Sequence, residues 1–193
     1  MTPTTTTTTT PRFERAVKFV LDHETVFKPR SKWGDYSFAT WECDPSDPGG
    51  LTKFGIDQRS HPSEDIKALT LARAKQIYFL EYWVPSGAEH LPAGYGEVLF
   101  DIRVNGGDGP RMLQRALNTL LPKNRKLTVD GMLGPRSVAA MEELGRAGLQ
   151  AFLDAREERY RDLAKRKPAL AKFLKGWLAR NRGVGEIVLN PIP

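Results

Sequence analysis

Cysteine, histidine and long apolar runs are all scarce in this chain, and each shortage narrows its chemistry. There is a single cysteine, Cys43, and three histidines in 193 residues. One thiol cannot close an intramolecular disulfide, which suits synthesis in a reducing cytoplasm. His23, His61 and His90 stand far apart, without the short spacing of metal ligands. A zinc amidase or zinc peptidase is therefore not expected, and no metal or cofactor is called for. No apolar run reaches the roughly 18 residues that a membrane-spanning helix needs. Met1-Thr2-Pro3 and the threonine run to Thr10 have neither a basic start nor an apolar core, so no secretion signal is read there. Residues 1–11 are expected to be a disordered tail. Asn105-Gly-Gly-Asp-Gly-Pro110 is glycine-rich but lacks the Lys and Ser/Thr of a phosphate-binding loop.

What is present begins with a short amphipathic helix. Over residues 12–25, Phe13, Ala16, Val17 and Val20 recur at helical spacing, and Glu24 follows Val20 by four. Glu24 thus continues the apolar stripe, while Glu14, Lys18 and Asp22 are placed on the wet face. A carboxyl among apolar walls at a helix C-terminus has its charged form disfavoured twice, by desolvation and by the helix dipole. That favours a general acid. A Glu that merely ends a surface helix fits the same residues. A loop follows, Asp44-Pro-Ser-Asp-Pro-Gly-Gly-Leu-Thr-Lys-Phe-Gly-Ile56. Pro48-Gly49-Gly50 forces a bend that sets Asp47 and Thr52 around it, and Leu51–Ile56 reads as a short strand. Asp47 either orients a water or caps its own turn, and Thr52 offers a hydroxyl.

These segments closely resemble the glycoside hydrolase family 108 N-acetylmuramidases, a lysozyme-like group. The resemblance rests on His23-Glu24 and the Asp47-Pro-Gly-Gly-Leu-Thr-Lys-Phe-Gly-Ile56 element. It continues through Leu69–Tyr78, Tyr82-Trp83 and Leu99-Phe-Asp-Ile-Arg-Val-Asn105. It implies cleavage of the bond between N-acetylmuramic acid and N-acetylglucosamine, with the family's catalytic Glu at Glu24. Two departures stand out. Thr25-Val26 replaces the usual Gly-Gly, and the segment from Glu24 to Asp47 is longer than in compact members. Asp35, Glu42 and Asp44 are rival second carboxylates. Trp33, Tyr36, Phe38 and Trp41 either stack on sugars from a flap or pack that flap down. Tyr82, Trp83 and Asn105 are further substrate-binding candidates, Asn105 being equally suited to a left-handed helix end.

The rest of the chain reads as helices. Residues 69–82 form one, with Thr70 as N-cap and Leu71, Ala74, Ile77 and Tyr78 inward; 94–104 form another that is largely buried. A third, over 111–121, turns Met112, Leu113, Ala116, Leu117 and Leu120 inward. Leu127-Thr-Val-Asp-Gly-Met-Leu-Gly-Pro-Arg-Ser137 resembles the turn of small peptidoglycan-binding helical modules, with Pro135 opening a helix. Residues 156–182 hold ten Lys and Arg against three acids, and so account for the chain's net charge of +6. They are also amphipathic. They either engage an anionic outer-membrane or membrane surface, or close the core with a solvated basic face. No motif supports nucleic-acid binding.

The expected architecture is mainly α, an α+β lysozyme-like helical bundle with a small β element near residues 36–56. The expected organisation is a tail (1–11), a catalytic region (12–105), a peptidoglycan-binding-like helical region packed on it (106–183) and a C-terminal tail (184–193). The expected activity is that of a monomeric peptidoglycan hydrolase with Glu24 as acid and Asp47 with Thr52 holding water. Carboxyl groups ~6.5–9.5 Å apart would give inversion, and ~5–5.5 Å a covalent route. The setting expected is a phage or prophage endolysin, made in the host cytoplasm and released to the wall by a holin. A lytic transglycosylase and a non-catalytic wall-binding or secretion-assisting protein are the alternatives.

Overall fold

The computed structural model describes residues 9–24, 42–43 and 50–190, the pair 42–43 by backbone alone. Trp41, Asp47, Asp35, Asp44, the Thr25-Val26 step and the flap aromatics lie outside the described residues, as does the tail to residue 8. The described chain is mainly helical with one small sheet, as expected. It divides into two compact units, Met1–Pro85 and Ser86–Pro193.

In the first unit, α1 (Pro11–Glu24) buries Phe13, Ala16, Val17 and Val20. Asp22, expected in water, is instead only 9% exposed. Phe19 and Leu21 are buried too, so the second half of α1 is enclosed on most sides. Lys18 reaches across one turn to neutralise Asp22 at 2.6 Å. The sheet runs β1 (Glu42–Cys43), β2 (Leu51–Lys53) and β3 (Ile56–Asp57), antiparallel in that order. Leu51–Ile56 is therefore not one strand. The chain reverses at Phe54-Gly55, with Lys53 paired to Ile56. Both turn residues have positive φ, 55° and 75°, which is the type I′ geometry that matches strand twist.

Thr70 caps α2 (Leu71–Ile77), its Oγ1 accepting from the Arg73 N–H at 3.2 Å. The helix read through Tyr82 does not stay α-helical. It widens into a π turn at Tyr78–Trp83, then a single turn α3 (Val84–Ser86). Packing explains the change. Tyr78 and Trp83, five residues apart, would diverge by about 140° on an α-helix. In a π turn, with its i→i+5 bonds and wider winding, that divergence shrinks and both can face the same side. Both are 1% exposed, and Trp83 meets Phe13 edge-on at 5.6 Å.

The second unit holds α4 (Tyr95–Val104), α5 (Gly109–Leu120), α6 (Pro135–Arg166) and α7 (Leu174–Leu189). The last helix runs past residue 183. Here α5 and α7 pack on α6, and α4 on α7, around Tyr95, Phe100, Leu113, Leu117 and Phe152. Burial pushes the Tyr95 phenol up to about 12, and its OH donates to the Gly145 carbonyl at 2.7 Å, where α6 breaks. Leu120, expected inward, is 45% exposed, and Leu121 takes the buried place as α5 ends. Asn105 is not the left-handed residue after α4; Gly106 is, at φ 71°.

The Asp130-Gly131 turn is clasped from α5. Buried Gln114 donates to Asp130 Oδ1 (2.8 Å) and the Met132 carbonyl (3.0 Å), and accepts from the Gly131 N–H (2.8 Å). One helical turn on, Asn118 donates to the Leu127 carbonyl and accepts from its N–H, at 2.9 and 2.7 Å. Arg156 of α6 and Arg180 of α7 do not belong to a basic surface. Both turn inward to Asp101 of α4, at 2.5 and 2.8 Å. Burial pushes the Asp101 carboxyl up, but the two guanidiniums outweigh it and hold it below the usual carboxylate range.

Candidate active site

Glu24 is the last residue of α1 and is half-buried. The hairpin turn forms the wall behind it. A Cβ added at Gly55 would lie 2.6 Å from Glu24 Cβ, 3.0 Å from Glu24 Cγ and 2.6 Å from Tyr78 Oη. Only a glycine admits that approach, and only a glycine is unstrained at φ 75°. Tyr78, from the π turn, donates to the Phe54 carbonyl at 2.9 Å and fastens the hairpin. Phe54 itself is 5% exposed, so its ring anchors the turn. Helix end, hairpin and π turn therefore converge at Gly55.

Tyr82 lies one turn beyond Tyr78 and is half-buried, its ring 5.5 Å from the Tyr78 ring. Thr52 is half-buried on β2, three residues before Gly55 and opposite Asp57. Asp57 is a carboxylate that the motif reading missed, and its Oδ1 accepts from the Ser60 N–H at 2.9 Å. In register, β1 sets Glu42 opposite Thr52 on the other side. His23 is exposed, its ring 4.1 Å from that of Phe19 and its Nδ1–H donating to the Phe19 carbonyl at 2.9 Å. His61 is buried and bonds Glu81 at 3.1 Å. Among the described residues no three His, Cys, Asp or Glu gather to hold a metal.

The expected site residues thus separate. Glu24 lies at the Gly55 turn that Tyr78 fastens, Tyr82 has its ring beside that of Tyr78, and Thr52 lies on the strand feeding the same turn. Trp83, at 1% exposure, is a core residue with no ring face for a sugar. Asn105 belongs to the second unit and is exposed, its Nδ2 donating to the Asp101 carbonyl at 2.7 Å. Asp47 and Trp41 lie outside the described residues. Gly55 and Tyr78 were missed as site residues. The Phe54-Gly55 pair inside an alternating stretch was the available signal for a turn, and Tyr78 at four before Tyr82 the signal for a shared face.

Residues 38–107 match the family model described as glycosyl hydrolase 108, and residues 108–182 that described as predicted peptidoglycan domain. Glu24 lies ahead of the first matched segment. No curated protein matches the chain. Among solved structures it is similar to SagA of Brucella abortus, at 24% identity and a TM-score of 0.66, over 92% of this chain and 93% of that one. At that identity the likeness speaks for the fold. The two matches adjoin and together span most of the sequence: a glycosyl hydrolase 108 segment, which supports glycoside hydrolase activity on peptidoglycan, followed by a peptidoglycan-domain segment.

Proposed function

We propose that this hydrolase is an N-acetylmuramidase that cleaves the β-1,4 bond between N-acetylmuramic acid and N-acetylglucosamine, with Glu24 as general acid. The observation that carries this reading is the seat of Glu24: a half-buried carboxyl at a helix end, its stem backed by Gly55, where a side chain would not fit. A positioned carboxylic acid is what a glycosidic oxygen needs as its bond to C1 breaks. Glu24 gives its proton to the leaving oxygen. Water then adds to C1, its proton passing to a second carboxylate. Asp47 is our choice for that base, with Thr52 holding the water. Tyr82 offers a ring to a sugar face beside the acid.

The setting we infer is that of a phage or prophage endolysin, a single cysteine suiting synthesis in a reducing cytoplasm. Arg159, Arg161, Lys165, Arg166, Lys167, Lys172, Lys175 and Arg182 are exposed beside a half-exposed Phe173, and we propose them as the contact with an anionic envelope surface.

The test is mass spectrometry of purified peptidoglycan digested by the wild type and by Glu24→Gln. Reducing-end muramic acid from the wild type alone supports the reading. Anhydro-muramic ends would make the enzyme a transglycosylase. Equal digestion by Glu24→Gln would remove Glu24 from the mechanism.

A further inference from the structure

The first turn of α6 opens onto a small cavity of the second unit. The space, of about 230 Å³, lies between that turn and the segment from Leu127 to Met132. The first N–H groups of a helix have no partner within it. Here Pro135 has no N–H to place, and those of Ser137 and Val138 donate to the Gly134 carbonyl at 2.9 and 3.1 Å. The N–H of Arg136 has no partner among the described residues. Gly134, the residue before the helix, has no side chain to cap it.

Ser137 lines the same cavity and is 4% exposed. A serine inside a helix commonly bonds back to the carbonyl one turn earlier. The Ser137 hydroxyl has no partner among the described residues, yet it is not sealed off, and its open face meets the cavity. A buried hydroxyl without a partner is costly, so this one is poised to bond whatever enters. Thr128 adds an exposed hydroxyl, and Arg136 and Asp130 add one charge of each sign. Bonds from Gln114 and from the Met132 N–H hold the Asp130 carboxyl below its usual range, so it stays ionised. It keeps room for more, since a carboxylate can accept up to about four hydrogen bonds. Buried Leu127 and Met132, which is 71% exposed, give the cavity its apolar surface.

We propose that this cavity binds an N-acetylhexosamine of the glycan strand, its acetamido carbonyl accepting from the Arg136 N–H and the Ser137 hydroxyl. The inference rests on the proposed function and deepens it, by naming the part of the wall polymer that the second unit holds. The lining selects this ligand. An ionised Asp130 in the wall opposes a phosphate or a free carboxylate, although a helix start alone would favour either. A neutral sugar suits both charges: its hydroxyls donate to Asp130 and accept from Arg136 and Thr128. The acetamido group joins a carbonyl, which the helix start attracts, to a methyl, which Leu127 and Met132 can cover. The volume suits a single sugar ring.

The experiment is a titration of the full chain, followed by the NMR signals of its backbone amides. The probes are triacetylchitotriose, cellotriose, which has the same rings without acetamido groups, and inorganic phosphate. Triacetylchitotriose should move the signals of Gly134, Arg136 and Ser137, which report this cavity separately from any sugar bound near Glu24. Cellotriose and phosphate should leave them in place. Ser137→Ala should weaken the binding read at these signals by about fivefold or more, the equivalent of one hydrogen bond. Its thermal unfolding should not fall, because the lost hydroxyl strands no partner. Gly134→Asp is the second variant. At φ −81°, with open space around an added Cβ, it fits without strain, caps the helix from within and should likewise weaken binding. Unmoved signals, an equal response to cellotriose, displacement of the sugar by phosphate, or unchanged binding in Ser137→Ala would each overturn the proposal. Digestion of peptidoglycan by the same preparation separates the two readings. A chain that digests but shows no response at these amides fails here alone, and one that binds the sugar here but digests nothing fails as a muramidase.

Discussion

At the scale of the residue, Gly55 is what lets the hairpin turn close on the stem of Glu24. Gly55→Ala would place a methyl 2.6 Å from both Glu24 Cβ and Tyr78 Oη, at a φ that costs an L-residue about 1–2 kcal/mol. The turn must withdraw, and Glu24 loses its backing. We expect a loss of about 2 kcal/mol or more in denaturant titration, and a fall in kcat of tenfold to a hundredfold with little change in KM, since misplacing a catalytic group by about 1 Å costs on that order. Normal kcat with lowered stability would show that the wall is only structural. Tyr78→Phe is the milder version. It removes the 2.9 Å bond to the Phe54 carbonyl and leaves a buried acceptor unmet, so a cost of about 1–3 kcal/mol is expected by the same titration. Neither residue announced this role in the sequence. Glu24 was legible because a carboxylate at the end of an apolar stripe is a local pattern. The glycine that touches it is thirty-one positions away, and only the fold brings the two together.

At the scale of the element, local chemistry read well and long-range demand did not. The Thr70 cap and the helix opened by Pro135 follow from residue types alone, and both appear. The π turn does not. It exists because Tyr78 and Trp83 are both drawn into the same core, a tertiary demand that propensity cannot express. The hairpin at Phe54-Gly55 was hidden by Phe54, since a bulky residue at positive φ is uncommon; burying its ring offsets the strain. Trp83 misled as a sugar platform for a related reason. Aromatic residues serve equally as core and as stacking faces, and burial decides between them. The clasp on the 127–132 segment shows what the Asp130-Gly131 motif is for. Gln114 makes three bonds that hold the turn on α5; Asp130 and Met132 are exposed, so water can take over their side of the lost bonds and Gln114→Ala should cost about 1–2 kcal/mol. Denaturant titration checks the value. If the motif serves this local purpose, peptidoglycan digestion at low temperature, where the variant stays folded, should be unchanged.

At the scale of the whole molecule, charge placed by composition was moved by folding. Counting cations over residues 156–182 put all ten on the basic face of an amphipathic segment, but two of the ten are interior ties to Asp101. Asp101 joins α4 to α6 and α7, and its partners lie 55 and 79 residues away. Nothing in an isolated Asp within an apolar helix marks such a hub. Its electrostatics set a pH dependence with a definite sign. The folded Asp101 carboxyl is held below its unfolded value, which is near 3.9. The stability it contributes is therefore complete above about pH 4, and drains away as the pH falls through the lower folded value. Asp101→Asn leaves two buried guanidiniums without their counter-ion, so it should cost about 3–5 kcal/mol at pH 7. The same change removes the acid-side loss that Asp101 causes. The two stability curves should converge as the pH drops toward 2. Every member of this network belongs to Ser86–Pro193, which has a core of its own in Tyr95, Phe100, Leu113, Leu117 and Phe152. A fragment of those residues should fold cooperatively and show the same acid-side slope as the full chain, followed by circular dichroism. A fragment that melts without cooperativity would mean the second unit depends on the first. A cooperative fragment without the slope would mean that the salt-bridge hub is not what acid dismantles.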